Sequence, residues 1–307
     1  MGGATSKGDG VSRADEAAKP QGKPAPQSHS CWPPAAGPVV RVASCQVSLA
    51  VGRPADNAAV VEHAIRAAAR GGARLVVVPE LATSGYMFSS LEQARSLAEP
   101  LDGPTVTLWS QLARELDLVV VGGLNELGAD ALYNASVVVD PSGLRAWYRK
   151  AHLWGDEPDF FSPGDAAPPV VDTAFGRVAT MVCYDLEFPE WSRLSALAGA
   201  EILAVPTNWP SEPVRAEPTP MEVVRAQAVA STNRMVVVVA DRCGPERGIE
   251  WTGGSSIISA EGHLLAGPAA SNEPTVLIAD VDLGAARNKR SGPRNDALRD
   301  RRTDLYS

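Results

Sequence analysis

Runs of aliphatic and β-branched residues alternate along the chain with stretches of helical periodicity. Several runs are apolar at every position, as in strands that are covered on both faces. The predicted strands are 39–47, 74–79, 118–124, 133–139, 177–183, 201–206 and 235–240. The predicted helices are 59–72, 104–116, 190–200 and Met221–Asn233. This alternation predicts an α/β domain with helices on both sides of the sheet material.

The pattern changes toward the end of the chain. The segments GSSIIS, EGHLLA and TVLIADV have the pattern of short strands joined by turns, closer to a meander than to a βαβ unit. A mixed sheet, or two sheets packed together, is therefore favoured over a simple doubly wound sheet.

The two ends of the chain differ from its middle in composition. Residues 1–37 are rich in Gly, Ala, Ser, Pro and Lys and lack apolar periodicity, which predicts a disordered extension without a secretory signal. The tail 284–307 is basic and polar, which favours a solvated arm; docking on a partner subunit is the alternative. The ordered domain is expected to span residues 38–283.

Composition narrows the classes of function. The formal net charge is −8, from 28 basic and 36 acidic residues, which argues against nucleic-acid binding. No run approaches the roughly 18–20 apolar residues that cross a membrane. Four cysteines without a CxxC pair or a disulfide-framework spacing favour a reducing, cytoplasmic environment.

Three reactive side chains follow apolar runs. Glu80 follows RLVVVP, Lys150 follows GLRAWYR, and Cys183 closes RVATMVC. Because chemistry in α/β folds gathers beyond the carboxyl ends of strands, the three are expected at one edge of the sheet material. Taken singly, each has an ordinary explanation: a small buried hydrophobe for the cysteine, a turn or helix cap for the glutamate, and a surface charge for the lysine.

Together the three groups form a chemically consistent nucleophilic site. A thiol of reference pKa about 8.5 is only slightly ionised at neutral pH. A nearby lysine and a following helix N-terminus favour the thiolate, and a glutamate can accept its proton. Lys150 and the backbone N–H of Tyr184 are candidates to hold the oxyanion that forms during attack.

The surrounding sequence resembles the carbon–nitrogen hydrolase (nitrilase) superfamily. VVVPELATSGY, YRKAHLWGDE and MVCYDLEFPE carry the resemblance, and LYNASVVVDPSG, FFSPGD and GGSSIISAEG agree with it as flanking segments. The resemblance covers residues 39–283. It implies a four-layer α-β-β-α sandwich that assembles into homodimers or larger homo-oligomers through helices at the subunit contact.

The resemblance also implies a role for each reactive residue. Glu80 is the general base, Lys150 the oxyanion stabiliser and Cys183 the nucleophile. Glu157, in WGDEPDFFSPG, occupies the place of a second glutamate that positions the substrate; a solvated loop acid is the alternative. The implied reaction passes through a thioester and needs no metal or organic cofactor, and the sequence has no His/Cys/Asp cluster that suggests one.

The residues after the cysteine resemble the amidase branch. Nitrile-cleaving relatives usually carry Trp-Glu there, and carbamoyl-amino-acid hydrolases an arginine, whereas this chain has YDLE. The expected substrate is a small linear carboxamide, with aliphatic and ω-amino amides included, and the expected products are a carboxylic acid and ammonia. The candidate pocket residues are Tyr86, Tyr184, Asn208 and Trp209.

Two further residues have competing interpretations. Asp241 stands where many relatives have an asparagine; it is expected to pair with Arg242 or Arg234, and facing a cationic substrate is the alternative. His152 lies two residues after Lys150 and is expected in a structural role.

Other functions remain open at this stage. The same three residues would also suit hydrolysis of a nitrile or an N-carbamoyl group, or transfer of the acyl group to an amine. A catalytically silent scaffold or sensor is the non-enzymatic alternative, which the intact set of Glu80, Lys150 and Cys183 disfavours. A Ser-His-Asp hydrolase is disfavoured because no GxSxG elbow precedes a suitable histidine.

Overall fold

The protein is described here by a computed structural model, which covers residues 1–2, 37–211, 219–270 and 272–306. The predicted disordered extension therefore lies outside the described residues, except for its ends. Two β-sheets face each other and helices cover their outer faces. The predicted α/β class and the four-layer α-β-β-α sandwich are confirmed. None of the described helices is long and apolar enough to cross a bilayer.

The elements of the described residues alternate as the sequence pattern indicates. The strands are β1 (Val39–Ser48), β2 (Leu75–Val77), β3 (Val119–Leu127), β4 (Leu132–Asp140), β5 (Gly143–Arg149), β6 (Val170–Asp172), β7 (Arg177–Thr180), β8 (Ile202–Pro206), β9 (Val236–Ala240), β10 (Arg242–Cys243), β11 (Ser256–Ile258), β12 (Leu264–Ala266) and β13 (Thr275–Asp282). The helices are α1 (Pro54–Arg70), α2 (Leu91–Ser96), α3 (Pro104–Leu116), α4 (Pro189–Leu197), α5 (Met221–Asn233) and α6 (Leu283–Arg287).

The two sheets place their parallel strands at matching positions. The first sheet has the order β10-β1-β2-β3-β4-β5, and β13 pairs with β1 antiparallel. The second sheet has the order β12-β11-β9-β8-β7-β6. β2 lies parallel to β1 and β3, and β8 lies parallel to β7 and β9. The loops that follow β2 and β7 therefore leave from carboxyl ends of strands, where α/β proteins concentrate their reactive groups.

Three apolar layers hold the sandwich together. The middle layer, between the sheets, is built from valines and isoleucines such as Val77, Val121 and Ile202. One outer layer packs α1 and α3 on the first sheet, and the other packs α4 and α5 on the second sheet. Because both faces of the central strands are covered, the sequence shows these strands as continuous apolar runs.

Several elements differ from the prediction. β7 ends at Thr180, three residues before Cys183. The short α2 and β6 were not predicted as elements. β5, the GLRAWYR segment before Lys150, is half-exposed at a sheet edge. The three late segments do not form one meander, because β13 leaves β11 and β12 and pairs with β1 over eight residues. This pairing satisfies the backbone groups along an edge of β1.

The start of the C-terminal tail packs on its own chain. Ala286 is buried, and Arg287 pairs with Glu201 at 2.7 Å. The Nζ of Lys289 donates to the backbone oxygen of Arg234 at 2.7 Å, next to the end of α5. The segment 286–289 therefore packs on the domain, whereas most residues from 290 to 306 are exposed. The boundary at residue 284 stays a prediction.

Candidate active site

The structure brings Glu80, Lys150, Cys183 and Glu157 together at one edge of the sandwich. Glu80 lies just after β2, Lys150 directly follows β5, and Cys183 follows β7. The Nζ of Lys150 lies 3.0 Å from Oε1 of Glu80 and 2.7 Å from Oε1 of Glu157. All four residues are buried, so their charges interact in an environment of low effective dielectric constant.

Lys150 keeps its positive charge in this buried position. Burial disfavours the ammonium form, but the carboxylates of Glu157 and Glu80 outweigh burial and hold the pKa of Lys150 well above its ordinary value. A buried cation in contact with two carboxylates can stabilise negative charge that develops on a substrate oxygen. The alternative of a surface lysine is therefore wrong.

Glu80 has the features of a general base. Burial raises the pKa of Glu80 to about 7, and the charge of Glu157 adds to this shift, whereas Lys150 and Asn134 oppose it. A base with a pKa near neutrality suits proton transfer at physiological pH. Its Oε1 binds Lys150 and Asn134, while its buried Oε2 has no hydrogen-bond partner among the described residues. One oxygen is thus held in place and the other is available to a proton.

Cys183 lies in an unusual backbone conformation. Its φ is +48°, in the left-handed region, a conformation that costs of order 1–3 kcal/mol in a non-glycine residue and occurs often at functional sites. Burial raises the pKa of the Cys183 thiol well above its ordinary value; Glu80 adds to this effect and Lys150 opposes it. The Sγ lies 3.9 Å from the backbone oxygen of Asn208. The thiol of Cys183 is therefore protonated in the resting protein.

The helix dipole expected at the thiol is absent from this part of the structure. The segment Cys183–Glu187 forms a short 3-10 helix, and α4 begins only at Pro189. The charged groups that shift the pKa of the thiol are thus Glu80, Lys150 and Glu157.

Glu157 organises the site and is not a solvated loop acid. Its Oε1 accepts hydrogen bonds from Lys150 and, at 2.7 Å, from the hydroxyl of Tyr86; its Oε2 accepts from the backbone N–H of Trp154 at 2.9 Å. Glu157 starts the short 3-10 helix Glu157–Asp159. Its carboxylate is therefore fixed on several sides.

Sequence reasoning missed Asn134. This residue lies on β4 and is buried, and its Nδ2 donates to Oε1 of Glu80 at 2.6 Å and to Oε1 of Glu157 at 3.3 Å. It bridges the two carboxylates of the site. The one signal available was its position in LYNASVVVDPSG, a segment that resembles the superfamily.

The four predicted pocket residues have different positions. Tyr184 and Trp209 line a small cavity at Cys183. Tyr86 lines a neighbouring cavity and donates to Glu157. Asn208 is buried, and its Nδ2 donates to the backbone oxygen of Glu80 at 2.9 Å. Its side chain therefore contacts the backbone of Glu80.

Asp241 has a structural role. The Asp241 carboxylate is buried and accepts hydrogen bonds from three backbone N–H groups, those of Trp209, Arg242 and Gly254. The predicted pairing with an arginine side chain is wrong, because the guanidinium of Arg242 binds Glu246 and that of Arg234 binds Glu261.

His152 contacts Asp185 and Phe188. Its Nδ1 lies 2.7 Å from Oδ1 of Asp185, and its ring stacks on Phe188 with 3.7 Å between ring centroids. Among the residues the structure describes, no cluster of three or more His, Cys, Asp or Glu side chains has a geometry that could hold a metal ion.

Comparison with known proteins agrees with this geometry. The family model "Carbon-nitrogen hydrolase" matches residues 41–291. The chain is 39% identical to a nitrilase of Pyrococcus abyssi (strain GE5 / Orsay), over 87% of this chain and 99% of the relative. It is 35% identical to an (R)-stereoselective amidase of a Pseudomonas species, over 83% of this chain and 89% of the relative.

A solved structure extends the comparison to the fold. A mutant of the amidase from Nesterenkonia sp. AN1 matches with a TM-score of 0.71 and 26% identity, over 87% of this chain and 95% of that chain. It shows covalent addition of the acetamide moiety of fluoroacetamide at the active site cysteine. The chain belongs to the carbon–nitrogen hydrolase (nitrilase) superfamily, in its amidase-like branch. It is a hydrolase that acts on non-peptide C–N bonds.

Proposed function

We propose that the protein hydrolyses a small linear carboxamide to a carboxylic acid and ammonia through a thioester on Cys183. The observation that carries the proposal is the buried Lys150, which contacts both Glu80 and Glu157 beside the thiol. The amidase mutant from Nesterenkonia sp. AN1, which adds an acetamide moiety covalently at its active site cysteine, supports the choice of a carboxamide.

Acylation begins from the neutral thiol. As Sγ of Cys183 attacks the amide carbon, Glu80 accepts the thiol proton, the C–S bond forms and the carbonyl electron pair moves onto oxygen. Lys150 and the backbone N–H of Tyr184 hold this oxyanion, and each such donor is typically worth about 3–4 kcal/mol. Glu80 then passes the proton to the amide nitrogen, the C–N bond breaks and ammonia leaves.

Deacylation uses the same groups in reverse. Glu80 removes a proton from a water molecule, whose oxygen attacks the thioester carbon. The C–S bond breaks, the proton returns to the sulfur of Cys183 and the carboxylic acid leaves. Glu157 keeps Lys150 and Tyr86 in place through both halves, because its carboxylate contacts both side chains.

Ammonia release tests this proposal. The panel comprises aliphatic, ω-amino and aromatic amides, with nitriles and N-carbamoyl compounds as the alternatives. We expect Cys183→Ala to lose more than about 1,000-fold in kcat on amides, because the nucleophile acts in a unit with its base. Cys243→Ala, which changes another buried and free cysteine, is the matched control and keeps its activity.

Each outcome of the panel has a separate meaning. Ammonia from amides that disappears with Cys183 supports the proposal. Turnover of nitriles or N-carbamoyl compounds without turnover of amides contradicts the carboxamide and identifies one of these compounds as the substrate class. Ammonia release that survives in Cys183→Ala contradicts the role of the cysteine. A cytoplasmic location, favoured by the use of cysteine, stays a prediction.

A further inference from the structure

Two cavities lie side by side at the candidate active site. The smaller, at Cys183, has a volume of about 80 Å³ and is lined in part by Tyr184 and Trp209. The larger, of about 230 Å³, is called the aromatic chamber. Its wall includes Tyr86, Phe88, Phe160, Phe161, Ile249 and Trp251.

The volumes of the two cavities determine which part of a substrate each can hold. An apolar protein cavity of about 150 Å³ binds benzene in another, well-studied protein. The cavity at Cys183 is smaller than this, so it has room for a carboxamide group but not for an aromatic ring. The aromatic chamber exceeds that volume and has room for a phenyl ring with a short linking group.

The aromatic chamber adjoins the reacting centre. Trp154 and Pro210 line both cavities, so they form the boundary between them. Glu157 also lines the chamber, and its Oε1 lies 2.7 Å from the Nζ of Lys150. A substituent that extends from a carboxamide at Cys183 past Trp154 therefore enters the chamber. Trp154 is 41% exposed and precedes Gly155, whose φ is +54°, in the loop between β5 and β6.

The chemistry of the wall favours an apolar substituent. The described residues that line the chamber include no lysine or arginine, so an anionic substituent finds no charge partner there. The acids in the wall are Asp156 and Glu157, and the Glu157 carboxylate already binds Lys150 and Tyr86. The remaining surface is mainly aromatic, which favours edge-to-face contacts with a ring.

The wall is held in a fixed shape. Phe88 contacts Phe160 and Phe161 edge to face, at 5.7 and 6.0 Å between ring centroids. Tyr86 contacts Trp251 in the same way at 5.4 Å. A wall whose rings already contact one another loses little further freedom when a ligand binds.

We propose that the aromatic chamber binds the apolar substituent of the amide substrate, up to the size of a phenyl ring, while the carboxamide reacts at Cys183. This inference rests on the proposed function and extends it from short linear amides to amides with an apolar or aromatic acyl group. It disfavours substrates whose acyl group ends in a carboxylate.

A filled chamber tests the inference. Ile249→Trp places a large ring in the wall, and Leu265→Trp on β12, at an exposed position, is the matched control. We expect Ile249→Trp to lower kcat/KM for phenylacetamide by more than about tenfold and to leave that for acetamide within about twofold. Leu265→Trp changes neither substrate. An equal loss on both substrates, or no loss on either, overturns the inference.

A second variant covers the case in which Ile249→Trp does not fold. Phe160→Ala removes one ring of the wall and enlarges the chamber. We expect the ratio of kcat/KM for naphthylacetamide to that for acetamide to rise by about tenfold or more. An unchanged ratio contradicts a role of the chamber in binding the acyl group.

A binding measurement separates this inference from the proposed function. Iodoacetamide alkylates Cys183, and phenylacetate and acetate are compared as protecting ligands. We expect phenylacetate to protect the wild-type thiol more strongly than acetate, and Ile249→Trp to remove the difference. That result without hydrolysis of any amide supports the chamber and refutes the proposed function. Acetamide hydrolysis with equal protection by the two acids refutes the chamber alone.

Discussion

The pKa of Glu80 is set by neighbouring groups whose effects oppose each other. Burial and the charge of Glu157 raise the pKa of Glu80, to about 7, while Lys150 and Asn134 lower it. Because the folded-state pKa lies above the ordinary value of 4.5, this group stabilises the fold most in acid, and the contribution is lost as pH rises through about 7. The proposed reaction needs the ionised form of Glu80, so we expect activity to rise over the pH range in which this contribution is lost.

Glu157→Gln changes the pH profile in a defined direction. The substitution removes a negative charge that raises the pKa of Glu80. We expect the acidic limb of the kcat/KM profile to shift to lower pH, together with a loss of kcat because Lys150 and Tyr86 lose an anionic partner. Glu126→Gln, which changes a buried carboxylate bound to Arg149, is the control and leaves the limb in place. A shift to higher pH contradicts the prediction.

Asn134→Leu is expected to shift the acidic limb of the kcat/KM profile in the opposite direction. The Nδ2 of Asn134 donates to Glu80 and favours its charged form, so its loss raises the pKa of Glu80. We expect the acidic limb of kcat/KM to shift to higher pH and kcat to fall. Asn125→Leu is the matched control, because the Nδ2 of Asn125 donates to the backbone oxygen of Ala94 instead. Equal profiles of the two variants refute a role of Asn134 in setting the base.

At the scale of elements, a buried ion pair holds the loop after β2. The guanidinium of Arg242 binds Glu246 at 3.0 Å, and Oε2 of Glu246 accepts hydrogen bonds from the backbone N–H groups of Tyr86 and Met87. Arg242 also lies 4.6 Å above the ring of Trp251. The pair thus fixes the loop that contains Tyr86 and places this residue beside Glu157. Neither Arg242 nor Glu246 belongs to the sequence motif around Glu80.

Glu246→Ala tests the contribution of this pair to stability. We expect the free energy of unfolding to fall by about 3–5 kcal/mol, because Arg242 is left buried without its carboxylate. Urea denaturation measures the loss. The exposed pair of Arg41 and Asp280 offers the control, and Asp280→Ala is expected to cost at most about 1 kcal/mol. The double variant Arg242→Met with Glu246→Leu recovers most of the stability if the loss comes from the unpaired charge.

At the scale of the whole molecule, α4 and α5 present large apolar side chains to solvent. Leu194, Leu197, Met221 and Val224 are 38–44% exposed, and the two helices pack against each other. Such a shared apolar surface is typical of an interface between subunits. We propose that the protein forms a homodimer, or a larger homo-oligomer, through these helices.

Charges placed on this surface test the proposed assembly. We expect the pair Leu197→Glu and Val224→Glu to convert the oligomer to a monomer in sedimentation velocity, because the interface would bury two unpaired carboxylates. Val60→Glu, at a similarly exposed position on α1, leaves the mass unchanged. A wild-type protein that sediments as a monomer at all concentrations refutes the proposal.

The central strands, the helices and the reactive side chains can all be read from the amino-acid sequence alone. β8 and β9 are apolar at every position because both faces are covered, and α3 and α5 have the predicted bounds. These features are local, since periodicity and flanking residues record the environment of each segment. The order of Glu80, Lys150 and Cys183 along the chain also belongs to the sequence.

The way in which these segments act together depends on contacts that form only in the folded chain. Asn134 acquires its role from contacts with Glu80 and Glu157, which are 54 and 23 residues away along the chain. The protonated resting state of Cys183 follows from its burial, a property of the assembled fold. The aromatic chamber combines segments around residues 86, 160 and 250. The physical reason is that burial, electrostatic coupling and cavity shape depend on distances in space, which residue spacing along the chain does not fix.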